Sequence, residues 1–545
     1  LQNEERAARA EMDVIVRGAL IADGSGAPAF EGDLAISNDV IEAVGDIGAR
    51  RATAELDGSG LVAAPGFIDM HSHSDYTLPT DPRSLSKVSQ GVTTEVVGNC
   101  GDTPAPLEDE HREEWILSKA FTPGELSWDW NSFGGFLEKL GQRGLGVNVF
   151  PLVGQGAIRN AVMGTENRRP SAKEAVRMEE LLARSMAEGA LGLSTGLLYP
   201  PGAYSDTAEL VRLAEVASQA GRFYFSHIRG EGSTLLAAIE EAIAVGRKAN
   251  LPVQISHLKA LGRKNWAKYD EALGLVDEAR AEGLDVVFDL YPYVAANTVV
   301  TALLPTWVLA DGISATLARL QEPRLREQIG AEMLELEILS GSEWHEIVIG
   351  GCRAYPDYAG KSVRQLADEA GEMPLDWVLD FLVRSQGAAD IIIFTQSEDN
   401  VCKGLSHPVA TVGTDGLGLA VSGPLAEGRP HPRSYGTYPR VLGHYVRDVK
   451  LFSLEEAVRK MSGGPAERLR LRNRGRLRPG FKADIVLFNA DTIDDMCEYA
   501  QPPRYARGIA YVLVNGKLVF DHGEHTGALP GRILGMKDLL VQQAH

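Results

Sequence analysis

The sequence predicts an α/β protein, a TIM-like (β/α)8 barrel with a small β-sandwich domain built from both chain termini. Three observations predict it. Short apolar strands alternate with helical stretches through the middle of the chain, β-prone runs of similar texture stand at its two ends, and metal-binding side chain types gather at the ends of the central strands. Strands separated by helices imply a parallel sheet. Eight such units close a barrel of about 250 residues.

Near the start, MDVIVRGALIADGSG, GDLAISNDVIEAVG and AELDGSGLVAAPG are β-prone runs punctuated by Gly, Asp and Asn. Near the end, KADIVLFNAD and GIAYVLVNGKLVFD repeat the pattern, with Asn515-Gly516 as a hairpin turn. Alternation of Val512 with Val514, and of Leu518 with Phe520, predicts one buried face. Residues 12–64 and 474–532 would form the terminal domain and residues 65–473 the barrel. Its eight strands are read as LVAAPGFIDMHSH, TTEVVGNC, VNVFPLVG, GALGLSTG, RFYFSHI, PVQISHLK, DVVFDLYP and VATVGTDG. Helical segments lie between most of them; in STLLAAIEEAIAVGRKAN, Leu235, Ile239, Ala242 and Val245 share one face. The stretch from about 293 to 408 is too long for one crossover and predicts an inserted subdomain.

At 545 residues the chain exceeds a single ordinary core. Its 44% hydrophobic and 23% charged residues match an ordered soluble protein. With 54 Lys and Arg against 74 Asp and Glu, the net charge of −20 repels phosphate backbones and excludes a nucleic-acid partner. No apolar run approaches the roughly 18–20 residues needed to cross a bilayer, so no membrane partner is expected. Cys100, Cys352, Cys402 and Cys497 are too scattered for a disulfide framework, which points to a reducing compartment, the cytoplasm. The charged start LQNEERAARAEMD lacks the apolar centre of a signal peptide. Because it opens on Leu, a leader removed before residue 1 is the other reading. Oligomeric state is not legible.

The chain has 12 histidines, and His71, His73, His227 and His257 fall at the C-terminal ends of strands one, five and six. Cys100 ends strand two and Asp415 ends strand eight. In a barrel these ends converge on the catalytic mouth. His71 and His73, at i and i+2 of a strand, point the same way and can face one ion; a hydrogen-bonded strand-end pair is the plainer alternative. His227 and His257 each read singly as a core histidine, and together as ligands. Cys100 offers a thiolate for zinc, or is a buried structural cysteine. Asp415, in VGTDGLG, is placed to move protons for an activated water, or is a turn residue. Ser256 and Thr414 precede site residues and should point away.

PGFIDMHSHSD, GVTTEVVGNCG, GALGLSTGLLYPPG, SHIRGEG, ISHLKALG, DLYPYVA, GTDG and HPRSYGTYPRVLG, with RGRLRPGFKADIVLF near the end, resemble the signatures of the N-acyl-D-amino-acid deacylases, or D-aminoacylases, of the amidohydrolase superfamily. The likeness spans about residues 12–532 and implies an amidohydrolase-type barrel. Many superfamily members bridge two metals with a carboxylated lysine on strand four; here GALGLSTG has none, and Cys100 is the substitute. The resemblance implies a tight Zn2+ held by Cys100, His227 and His257, with His71 and His73 forming a weaker second site that shares Cys100. It also implies a clamp for the substrate's free carboxylate from Tyr199, Lys259, Tyr291 and Arg433. Arg gives such an anion a bidentate fork and Lys a point charge.

The implied reaction is hydrolysis of an N-acyl-D-amino acid, a small-molecule substrate, with Asp415 as proton carrier. The D preference comes from the resemblance alone. An apolar wall for the acyl group could come from TPGELSWDWNSFGGFLEKL, with Trp128, Trp130, Phe133 and Phe136, or from LPTWVLADG. The rivals are a cyclic-amide hydrolase of the hydantoinase or dihydroorotase kind and a non-catalytic relative.

Overall fold

The computed structural model describes residues 12–501 and 503–540; the charged run over residues 1–11 lies outside them. Strands β1 (Met12–Ile21), β2 (Phe30–Ser37), β3 (Val40–Gly45), β4 (Ala52–Asp57) and β5 (Val62–Pro65) open the chain. They join β17 (Ile485–Phe488), β18 (Ile509–Val514), β19 (Lys517–Asp521) and β20 (Glu524–His525) in one nine-stranded sheet. The two ends meet where β17 pairs antiparallel with β5, Val486 opposite Ala64. Val16, Leu34, Ile36, Ile485, Leu487 and Leu513 fill one core between them.

Asn515 and Gly516 carry φ values of 46° and 77°, the left-handed pair that a two-residue hairpin requires. The expected single buried face is corrected. The β18–β19 ladder slips between Val512 and Leu513, so Phe520 pairs with Val512 but Leu518 pairs with Leu513. One extra residue reverses the face of everything beyond it. Val512, Val514, Val519 and Phe520 pack into the barrel-side core, while Leu513 and Leu518 join the terminal sheet's own core.

Strand one also differs from expectation. LVAAPGFIDMHSH is two strands, because the chain leaves the terminal sheet at β5 and enters the barrel at β6 (Phe67–Asp69). Gly66 is the hinge: a Cβ there would lie 2.2 Å from the Thr93 side chain. The barrel continues through β7 (Val92–Val97), β8 (Asn148–Gly154), β9 (Gly192–Gly196), β10 (Phe223–His227), β11 (Val253–Ile255), β12 (Val286–Leu290) and β16 (Ala410–Val412), all parallel. The helix Leu235–Ala249 buries Leu235, Ile239, Ala242 and Val245 as its spacing predicts.

Between β12 and β16 the chain makes β13 (Ala295–Val299), β14 (Ile347–Gly351) and β15 (Asp390–Phe394), a three-stranded antiparallel sheet. Five α-helices fall between β13 and β15, from Gly312 to Arg384. Trp377, Phe381, Ile391 and Ile393 belong to a core separate from that of the barrel.

The seam between the first and eighth barrel strands is closed largely by side chains. Backbone bonds run from Met70 N to Val412 O (3.3 Å), Asp415 N to His71 O (2.7 Å) and His73 N to Gly416 O (3.0 Å). Asp69 accepts from Thr414 N and Thr414 Oγ1, and Lys87 Nζ donates to Asp69 (2.7 Å), Thr414 Oγ1 (2.6 Å) and Gly416 O (3.1 Å). Lys87, Asp69 and Glu95 are fully buried. Removing one partner strands the other charges in a dry interior, at a cost of about 3–5 kcal/mol. Lys87→Met is therefore expected to lower the urea-unfolding midpoint sharply; an unchanged midpoint would show that the seam holds without the ammonium.

Candidate metal and active site

Each predicted ligand arrives at the barrel mouth at or just past a strand end. His227 is the last residue of β10. Cys100, His257 and Asp415 follow β7, β11 and β16, and all three have positive φ, at 55°, 35° and 49°. Left-handed backbone in non-glycine residues is uncommon and tends to cluster where function requires it. Here it turns three side chains inward at once. The strand carrying His257 therefore stops at Ile255 rather than running on to Lys259. Lys259 reaches the rim by a turn, with its Nζ 3.1 Å from His257 O.

The Cys100 sulfur is buried among three imidazoles, 3.3 Å from His71 Nε2, 3.5 Å from His227 Nδ1 and 3.5 Å from His257 Nε2. A tetrahedral zinc, with Zn–S about 2.3 Å and Zn–N about 2.0–2.1 Å, sets sulfur and nitrogen about 3.5 Å apart. The donor types and the three sulfur–nitrogen distances thus fit the ion. Ligand atoms of His71, Cys100, His257 and Asp415 all lie within 4.8 Å of one another. His227 Nε2 is buried and has no hydrogen-bond partner among the described residues.

Burial pushes His227 and His257 well below the usual imidazole range, which keeps them in the neutral form that ligates. Burial, with Asp415 next, pushes the Cys100 thiol well up. Those neighbouring carboxylates favour a divalent cation, and a coordinating thiol ionises.

His73 lies on the cavity side, its Nε2 3.1 Å from Asp415 Oδ1, while His71 Nε2 is 3.4 Å from the same oxygen. The two rings stand 5.4 Å apart. Asp415 Oδ2 accepts from Arg433 Nη1 at 2.6 Å. Burial alone would raise the Asp415 proton affinity, but Arg433, then His257 and His71, outweigh it and hold the carboxyl well below its usual range.

Tyr199, Lys259, Tyr291 and Arg433, the residues expected to form the clamp, share the wall of a cavity of about 600 Å³ that also contains Cys100, His227, His257 and Asp415. Tyr199 OH lies 3.0 Å from Thr298 Oγ1, with its ring edge-on to His227. The Arg433 guanidinium sits 4.9 Å from the centre of the Tyr291 ring. Lys259 is paired with Glu231.

Two site residues escaped sequence reasoning. Asp289 Oδ1 is 3.1 Å from His71 Nδ1 and accepts from His257 N at 2.8 Å. Glu231 Oε1 is 3.0 Å from His257 Nδ1. Each carboxylate takes one ring nitrogen and leaves the other facing the sulfur, the usual outer support of a histidine ligand. Their only signals were a carboxylate one residue before the end of strand seven and one four residues past His227. Thr414 lies in the seam beside Asp69, while Ser256 Oγ is buried without a partner among the described residues. Glu231→Gln is expected to weaken zinc about 10- to 100-fold, read by chelator competition; unchanged affinity would leave Glu231 as a partner of Lys259 alone.

The expectation that the aromatics of residues 122–140 form the apolar wall is corrected; only Thr122 and Pro123 of that segment line the cavity. Trp130, Phe133 and Phe136 are buried in the barrel-side core, and Trp128 packs against it. The alternative segment does line the cavity, through Leu304, Pro305, Trp307 and Leu309.

A family model described as the amidohydrolase family matches residues 54–331 and 362–520. The D-aminoacylase of Alcaligenes xylosoxydans xylosoxydans is 36% identical over 522 residues, covering 96% of this chain and 97% of that protein. The N-acyl-D-glutamate deacylase of the same organism is also 36% identical, over 528 residues and 96% of each chain. The crystal structure of N-acyl-D-glutamate deacylase from Bordetella bronchiseptica, complexed with zinc and a phosphonate mimic of the tetrahedral intermediate, superposes with a TM-score of 0.82 at 33% identity. That match covers 96% of this chain and 100% of the other.

Proposed function

From the premise that this chain belongs to the amidohydrolase family, we propose that it is a zinc-dependent deacylase that hydrolyses N-acyl-D-amino acids to a carboxylate and a free D-amino acid. The observation that carries the reading is the buried Cys100 thiol ringed by His71, His227 and His257, at a mouth whose fourth strand lacks lysine. The likeness to two D-specific deacylases over nearly the whole chain supports the substrate class.

Cys100, His227 and His257 would hold the tight zinc, and His71 and His73 would complete a weaker site sharing the thiol. When bound, zinc polarises the amide carbonyl and lowers the proton affinity of water. Asp415 takes a proton from the attacking water and returns it to the departing nitrogen. The free carboxylate of the substrate lies beside the scissile bond, within reach of Arg433, Lys259 and the hydroxyls of Tyr199 and Tyr291. Arg433 links Asp415 to Asn297 O, 3.3 Å from Nη2, so an arriving carboxylate is a second acceptor for a group already poised over the base.

The catalytic unit in this reading is the barrel of residues 65–473 with its insertion at about 293–408, and residues 12–64 and 474–532 are the supporting β domain. A cytoplasmic location accords with four free thiols, and no described helix is long and apolar enough to cross a membrane. The test is a panel of N-acetyl-D-amino acids, their L enantiomers and hydantoins offered to zinc-loaded protein. Turnover of the D series is expected. Turnover of hydantoins alone would make the chain a cyclic-amide hydrolase, and inertness to every amide would favour a non-catalytic relative.

A further inference from the structure

We propose that this protein prefers N-acyl-D-amino acids with neutral, apolar side chains over those of D-glutamate and D-aspartate, an inference that rests on the deacylase reading above. Overall identity does not separate these classes. The cavity does.

Among the described residues four cations line it, Lys119, Arg229, Lys259 and Arg433, against seven carboxylates. Two of the cations are already engaged by protein partners. Lys119 Nζ is 2.8 Å from Asp102 and 3.8 Å from the centre of the Trp115 ring. Arg229 donates to Glu241 (2.8 Å), Ala203 O (3.1 Å) and Ser205 O (2.9 Å), which uses up its planar fork. Lys259 and Arg433 stand at the metal end, the first against Glu231 and His257 and the second against Asp415. The substrate's α-carboxylate sits two bonds from the scissile nitrogen, so these two groups are the ones it must meet.

A side-chain carboxylate of D-glutamate would extend beyond them. The rest of the lining includes Val299, Leu304, Leu309 and Ile313 from the insertion, with Leu117 and Phe121 on either side of Lys119, whose ammonium is already held by Asp102. However the acyl group and the side chain divide that wall, neither finds a free cation on it among the described residues. An anion held there loses its water without gaining a partner, and the surplus of carboxylates repels it. An isobutyl or benzyl group gains from the same contact.

The experiment compares kcat/KM of zinc-loaded protein for N-acetyl-D-leucine and N-acetyl-D-phenylalanine with that for N-acetyl-D-glutamate and N-acetyl-D-aspartate. The neutral pair is expected to lead by on the order of a hundredfold or more. Calorimetric binding of the same compounds to Asp415→Asn protein is expected to give the same order. Acidic substrates equal to or better than the neutral ones would overturn this inference and leave the deacylase reading standing. No turnover of any D substrate would overturn both.

Discussion

Replacing Cys100 with serine is expected to empty the tight metal site and abolish turnover while the barrel stays folded. The sulfur touches three of the histidines, 3.3–3.5 Å from each. A serine hydroxyl has nearly the same shape but does not ionise beside zinc as a thiol does. Loss of an outer support costs a metal site about 10- to 100-fold in affinity, so loss of a direct ligand should cost at least about 10³-fold. A matching fall in kcat/KM corresponds to about 4 kcal/mol of barrier. The measurement is zinc per chain after dialysis against a chelator, alongside kcat/KM for an N-acetyl-D-amino acid. Cys402→Ser is the control: its thiol is half-buried and far along the chain from the site, and it should behave as wild type. One equivalent of zinc retained by Cys100→Ser would remove the thiol from the ligand set.

The same residues show what the sequence could and could not reveal. Strands and their order were legible because parallel barrel strands are short runs buried on both faces, as in β8 and β9, that alternate with helical stretches and end at marked positions. The candidate ligands stood out because metal-binding residue types are scarce and recurred at those ends. What escaped reading depends on contacts between residues distant in sequence or on a local break in periodicity. Lys87, Asp69 and Thr414 look unremarkable in sequence; only barrel closure brings residues 69 and 414 within 2.7 Å. The bulge in β19 defeated an alternation argument that assumed a period of two. Trp130, Phe133 and Phe136 carry the composition of either a core or a wall, and composition does not say which cavity a helix faces. Asp289 and Glu231 were missed for a related reason. A carboxylate that orients a histidine is recognisable only once the ring is placed.

Asp415→Asn is expected to separate metal binding from proton transfer. Asparagine suits this position because Asp415 sits at φ 49°, a conformation that Asn and Asp tolerate better than other side chains. The amide keeps the shape and can still lie between His73 and Arg433, but it cannot take a proton from water. A positioned acid–base group contributes about 10²–10⁴-fold, so kcat should fall by about 10³-fold. KM should change little, because Arg433 and Lys259 remain. Zinc in the site of Cys100, His227 and His257 should stay at one equivalent, because Asp415 is not one of its ligands in this reading, although its ligand atom lies within 4.8 Å of those of Cys100 and His257. Asp415→Gly, without any side chain, should regain part of its rate when formate is added, because a small carboxylate can occupy the space and carry the proton. If Asp415→Asn instead loses the tight zinc together with activity, the carboxylate is a ligand first, and the proton must be carried by another group. The nearest titratable candidate is then His73, with its Nε2 3.1 Å from Asp415 and facing the cavity.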